Sequence, residues 1–124
     1  MSKAIETNQA PKAIGPYSQA IEAGDLLFIS GQIAINPETN EIVEGIENQT
    51  DQVMKNLEAI LKEANRSFAN VVKFTIYLKS MDNFPVVNDL YKQFLTTPYP
   101  ARATVEVSRL PKDVEIEIDA IATK

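Results

Sequence analysis

The sequence predicts an α/β (α+β) fold, a mixed sheet with two helices packed on one face. Three observations predict it. Runs with a two-residue apolar period alternate along the chain with two runs of helical period. Each helical run stands between strand runs, where a crossover connection belongs. The last two strand runs carry their charges on one side only, as a sheet covered on a single face requires. At 124 residues, the chain is expected to be one domain over 1–124, long enough to bury a core and with little room for a second.

The elements follow in order. YSQAIEAGDLLFIS (17–30) holds two strand-like runs about Gly24-Asp25, the signal of a hairpin. Gly31 comes next, then a loop containing Asn36-Pro37 and Asn40. From 48 to 64, Val53, Leu57, Ile60, Leu61 and Ala64 keep helical spacing, with Asn48 as the expected N-cap and Asn65 as the left-handed residue at the C-terminus. VVKFTIYLKS (71–80) alternates, with Val72, Phe74, Ile76 and Leu78 facing one way and Lys73, Thr75, Tyr77 and Lys79 the other. A second helix is expected over 82–95, with Pro85 in its first turn and Phe84, Val87, Tyr91 and Phe94 at core spacing.

PARATVEV (100–107) and VEIEIDAIA (114–122) are the last strands, expected to pair antiparallel about the turn at 108–113. That register puts Ala103, Val105 and Val107 on the core face with Val114, Ile116, Ile118 and Ala120. Arg102, Thr104 and Glu106 then share the uncovered face with Glu115, Glu117 and Asp119.

Composition narrows the chemistry. Seventeen acidic residues against twelve basic give a net charge of −5, so affinity for nucleic acid or an anionic membrane has no general basic field behind it. No apolar run approaches the roughly 20 residues of a membrane helix. MSKAIETNQAPK lacks the apolar stretch of a secretion signal, and a cytoplasmic location is expected. The chain has no Cys and no His, which removes disulfides, thiolate nucleophiles, His-based triads and zinc sites built on nitrogen and sulfur. Any chemistry runs on carboxylates, Arg, Lys, Tyr, hydroxyls, the backbone and water.

Arg102 stands out in that inventory. A guanidinium fork binds a carboxylate in bidentate fashion, and a nearby Glu orients or deprotonates water, a pairing suited to hydrolysis of a small carboxylate-bearing molecule. Spacing alone leaves a plainer reading open, in which Arg102 pairs with acids on a solvated sheet face. Likewise Tyr17 and Ser30 can close strand ends, Gly31 can serve as a positive-φ turn residue, and Asn88 can be a solvated helix position.

The segments AIGPYSQAI (13–21), SGQ (30–32), FPVVNDLY (84–91), PAR (100–102) and VEVSRLPKDVEIEIDAIA (105–122), in this order and at these separations, resemble the reactive-intermediate deaminase family of imine hydrolases. The resemblance spans essentially the whole chain. It implies a chorismate-mutase-like fold assembled as a homotrimer around a central barrel-like core, with active sites between subunits. It also implies hydrolysis of 2-iminobutanoate and 2-iminopropanoate, by-products of pyridoxal-phosphate enzymes, to 2-ketoacids and ammonia, with no metal or organic cofactor. By the same resemblance Arg102 binds the substrate carboxylate, Glu117 positions the water, and Tyr17, Ser30, Gly31 and Asn88 complete the pocket. Thr104, which departs from the Cys or Ser usual at its place, is expected to join the substrate pocket through its backbone. Two rival readings accompany this one: a non-catalytic trimer that senses a carboxylate ligand, and a ribonuclease or translation inhibitor, which a chain without His and with net charge −5 supports poorly.

Overall fold

The computed structural model describes residues 2–124. The strands are β1 (Ser2–Ile5), β2 (Ala20–Ala23), β3 (Leu26–Gln32), β4 (Ile35–Asn36), β5 (Glu41–Ile42), β6 (Val71–Leu78), β7 (Ala101–Glu106) and β8 (Ile116–Thr123), with helices α1 (Ile46–Glu63) and α2 (Phe84–Gln93). Six strands form one mixed sheet in the order β1-β2-β3-β8-β6-β7, and β4 and β5 make a separate ribbon. Among the described residues only the β6–β7 pair is parallel, as its connection through α2 dictates.

Local sequence explains most boundaries. The β2–β3 hairpin turns at Gly24, which takes φ 60. Helix α1 starts earlier than Asn48: Gly45 is its N-cap at φ 88, and Asn48 lies in the first turn with its amide donating to the Glu44 carbonyl at 3.1 Å. The earlier start lets Ile46 pack against the core. At the other end Asn65 is left-handed, φ 59, as its position predicts. The second helical region splits, Met81–Asn83 being a 3₁₀ turn capped by Ser80 and α2 following with Pro85 in its opening turn.

Both helices cover one sheet face. Val53, Met54, Leu57, Ile60 and Leu61 of α1, all fully buried, form a stripe at helical spacing, and α2 adds Val87 and Tyr91. They close over Leu27, Ile29, Phe74, Ile76, Leu78, Ile116 and Ile118. Phe74 meets the Tyr91 ring edge-on at 5.3 Å. Burial on this scale contributes about 1.5–3 kcal/mol for each large apolar side chain.

The register corrects three expectations. First, β7 and β8 do not pair. β8, whose Ile116, Ile118, Ala120 and Ala122 are at most 2% exposed, sits between β3 and β6. A strand so apolar on its covered side belongs at the sheet centre. Second, the faces of β7 are the reverse of those expected, because Arg102, Thr104 and Glu106 align with Phe74, Ile76 and Leu78 of the helix-covered face. Ala101, Ala103 and Val105 align with Lys73, Thr75 and Tyr77 of the open face. An edge strand tolerates inward charges because it lies at the margin of the helical cover. Third, Val72 is 45% exposed, since a register shift between Val71 and Lys73 turns Val71 inward instead.

The open face is not uniformly polar. Phe28 lies between Ile21 and Ile121 across neighbouring strands, and Phe28 and Val105 are each more than 40% exposed. No helix of the described residues is long and apolar enough to cross a membrane.

Candidate functional site

The residues singled out from the sequence fall into two clusters. The first is built on a bulge in β3. Ile29 pairs with Ala120 and Gln32 with Ile118, so Ser30 and Gly31 carry one residue more than the opposing strand. Bulges of this kind re-aim neighbouring groups. The Ser30 hydroxyl donates to the Ser18 carbonyl at 2.6 Å, and its N–H donates to the Gln19 carbonyl at 2.9 Å. Buried Gln19 in turn staples the incoming loop: it accepts from the Thr7 N–H at 2.7 Å and donates to the Pro11 carbonyl at 2.8 Å. These bonds fix the segment that presents Tyr17, which stays half-exposed.

Glu117 comes to the same place from β8, opposite Tyr77 on the open face. Its carboxylate lies against Gly31, so close that a Cβ there would sit 2.8 Å from Glu117 Cδ. A side chain at residue 31 would therefore have to displace that carboxylate, and the positive-φ turn role left open by the sequence does not apply. A cleft of about 590 Å³ is lined by Tyr17, Ser30, Gly31 and Glu117, with Lys12 and Lys112 also on its walls. Burial pushes the Glu117 carboxyl above its ordinary range, and the nearby Asp119 charge adds to the effect. Asp119 itself accepts a hydrogen bond from the Tyr77 hydroxyl at 2.9 Å.

The second cluster stands on the other side of the sheet, where β7 meets α2. The Arg102 guanidinium lies 5.3 Å from the Phe84 ring centroid and 5.1 Å from that of Tyr91, and its Nη1 donates to Asn88 Oδ1 at 2.7 Å. Helical spacing aligns Phe84, Asn88 and Tyr91 on one side of α2, so one helix supplies both aromatic walls and the polar contact. Among the described residues, no carboxylate lies within ion-pairing distance of Arg102. A cavity of about 420 Å³ opens here, lined by Asn88, Tyr91, Lys92, Tyr99, Pro100 and Arg102. Burial raises the Tyr91 phenol, with the Arg102 charge opposing it.

Thr104 belongs to neither cavity; its Oγ1 is buried and has no hydrogen-bond partner. The expectation that Arg102 and Glu117 meet on one face of adjacent strands fails. Arg102 aligns with Phe74 and Glu117 with Tyr77, three residues apart on β6 and therefore on opposite faces. The helical spacing that places Phe84 and Tyr91 at core positions also brackets Asn88 at i, i+7, which sets both rings beside the Arg102 guanidinium. No comparable spacing marks Lys12, Lys92, Tyr99 or Lys112.

A family model described as endoribonuclease L-PSP matches residues 7–124. A RutC family protein of Pyrococcus horikoshii is 56% identical over 125 residues, covering 100% of this chain and 99% of the relative. The 2-iminobutanoate/2-iminopropanoate deaminase of Escherichia coli K12 is 44% identical over 127 residues, covering 100% of this chain and 99% of that protein. The crystal structure of Escherichia coli TdcF with bound serine superposes with a TM-score of 0.94 at 42% identity, covering 98% of each chain. Sequence, fold and relatives agree: the chain belongs to the endoribonuclease L-PSP family, that of the reactive-intermediate deaminases.

Proposed function

We propose that this protein hydrolyses 2-iminobutanoate and 2-iminopropanoate to the corresponding 2-ketoacids and ammonia, in the cytoplasm and without a metal or organic cofactor. The observation that carries the reading is the state of Arg102. Among the described residues its only polar side-chain partner is the neutral Asn88, two aromatic rings lie against it, and its charge is left for a ligand. The full-length similarity to an Escherichia coli deaminase and the amino acid bound by TdcF support a small carboxylate-bearing ligand.

The reaction adds water to the imine carbon and expels the nitrogen. Arg102 holds the substrate carboxylate and so places the C=N carbon. Glu117, with its proton affinity raised by burial, takes a proton as the water oxygen bonds to that carbon. Addition to the protonated imine gives a neutral carbinolamine, which collapses: Glu117 returns the proton to nitrogen, the hydroxyl proton passes to the freed carboxylate as the C=O forms and the C–N bond breaks, and ammonia leaves the ketoacid. Tyr17, Ser30 and Gly31 shape the water side of the site, and Asn88 orients the guanidinium.

Arg102 and Glu117 open on opposite faces of one sheet, so a complete site needs a second copy. We place it between subunits of a homotrimer, with the Arg102 cavity of one chain against the Glu117 cleft of the next. The exposed Phe28 and Val105 give the open face apolar surface for that contact.

The test is the rate of ketoacid release from enzymatically generated 2-iminobutanoate, with and without the protein. Acceleration that disappears in Arg102→Ala supports the reading. Binding of 2-ketobutyrate without any acceleration points instead to a carboxylate sensor.

A further inference from the structure

The two cavities reverse the charge balance of the chain. The protein carries seventeen acids and twelve bases. The 590 Å³ cleft nevertheless has Lys12 and Lys112 against Glu117 alone, and the 420 Å³ cavity has Lys92 and Arg102 with no acid. Among the described residues none of these four cations has a carboxylate within ion-pairing distance. A monocarboxylate neutralises one charge of the Arg102 cavity and leaves its second cation, Lys92, without an anion.

Lys92 is placed to take a second anion. It follows Asn88 by four residues on α2, so the two share a helix face about 6 Å apart along the axis. Asn88 is the residue that holds Arg102. Lys92 and Arg102 line one cavity, which brings a second carboxylate a few carbons from the first within reach of Lys92. At the opposite cleft, Lys112 adopts φ 56 and Asp113 φ 58, a left-handed pair of non-glycine residues that costs free energy. The Lys79–Asp113 ion pair at 2.9 Å ties this turn down, which keeps Lys112 at the rim.

We infer that the site prefers doubly anionic substrates, 2-imino dicarboxylates, with Arg102 holding the carboxylate beside the imine and Lys92 the distal one. The inference rests on the proposed imine hydrolysis and narrows its substrate class. Lys12 and Lys112 add an attractive field on the water side, so the preference weakens as salt is added.

The experiment compares two pairs of probes on the full chain. The ratio of kcat/KM for 2-iminoglutarate over 2-iminobutanoate, each generated from its amino acid, is measured beside the ratio of affinities for 2-ketoglutarate and 2-ketobutyrate by calorimetry. The expected ratios exceed threefold in the unaltered protein and fall below one in Lys92→Glu, a change at an exposed position whose folding is checked by circular dichroism. Ratios of threefold or less in the unaltered protein, or ratios that Lys92→Glu does not lower, overturn the inference. Arg102→Ala separates the two levels: if 2-ketobutyrate binding survives that change, the underlying carboxylate clamp is what fails.

Discussion

The Glu117 carboxylate fills the space that a side chain at Gly31 would need. A methyl group at residue 31 therefore evicts the acid from the cleft floor, while the bulge that carries both Ser30 and Gly31 needs no left-handed φ. Gly31→Ala is expected to lower imine hydrolysis by about 10²-fold or more, the scale of losing a positioned acid–base group. Its melting temperature should stay within a few degrees of the unaltered protein. Ketoacid release and thermal unfolding, measured on one preparation, check both halves.

Arg102→Ala should remove nearly all hydrolysis, and Arg102→Lys most of it, because an ammonium keeps the charge and loses the planar fork that stacks between Phe84 and Tyr91. The stability cost is expected to be small, about 1 kcal/mol for an exposed cation–π contact. Urea unfolding of the two variants gives that number. Full activity in Arg102→Ala would return the arginine to a purely structural account.

Glu117 predicts a pH effect with a definite sign. Burial, helped by Asp119, makes the folded chain hold this proton more tightly than the unfolded chain does. Its contribution to stability is thus fully present below the ordinary value of 4.5 and is lost as pH climbs through the raised value. Glu117→Gln cannot ionise, so its stability relative to the unaltered protein should improve across that window and level off above it. Denaturant midpoints from pH 4 upward test this. The same variant should impair turnover more than 2-ketobutyrate binding.

Phe28→Lys and Val105→Lys place charges on the open face without touching either cavity. Light scattering should report three chains for the unaltered protein and a smaller mass for the double variant, with hydrolysis falling in step because the two cavities part. A monomer of unaltered mass that hydrolyses imines would defeat the shared-site proposal.

Much of this was readable in the sequence, and the exceptions have physical causes. The two helices, the hairpin at Gly24 and the left-handed Asn65 follow from local periodicity and turn chemistry. Strand partners do not. PARATVEV and VEIEIDAIA are consecutive strand runs, and although the apolar side of β8 suits the sheet centre, nothing local to it names β3 and β6 as its neighbours or leaves β7 beside β6. The reversed face of Arg102 follows from that one fact: period two finds the two sides of a strand and leaves open which is covered. Arg102 stood out by its chemistry, and Asn88 and Glu117 by the family resemblance; their division across the sheet depends on long-range pairing.

The place of β8 also orders events in time. It is the last strand of this sheet to be synthesised, and it lies between β3 and β6, pairing Leu26 with Thr123 and Leu78 with Ile116. Until it emerges, β1–β3 and β6–β7 are two separate strips with raw hydrogen-bonding edges, and α1 has only part of its floor. Folding therefore waits on contacts between distant parts of the chain, the slow kind. A nascent chain stalled before Ile116 would expose the two strand edges most prone to pair with a neighbour.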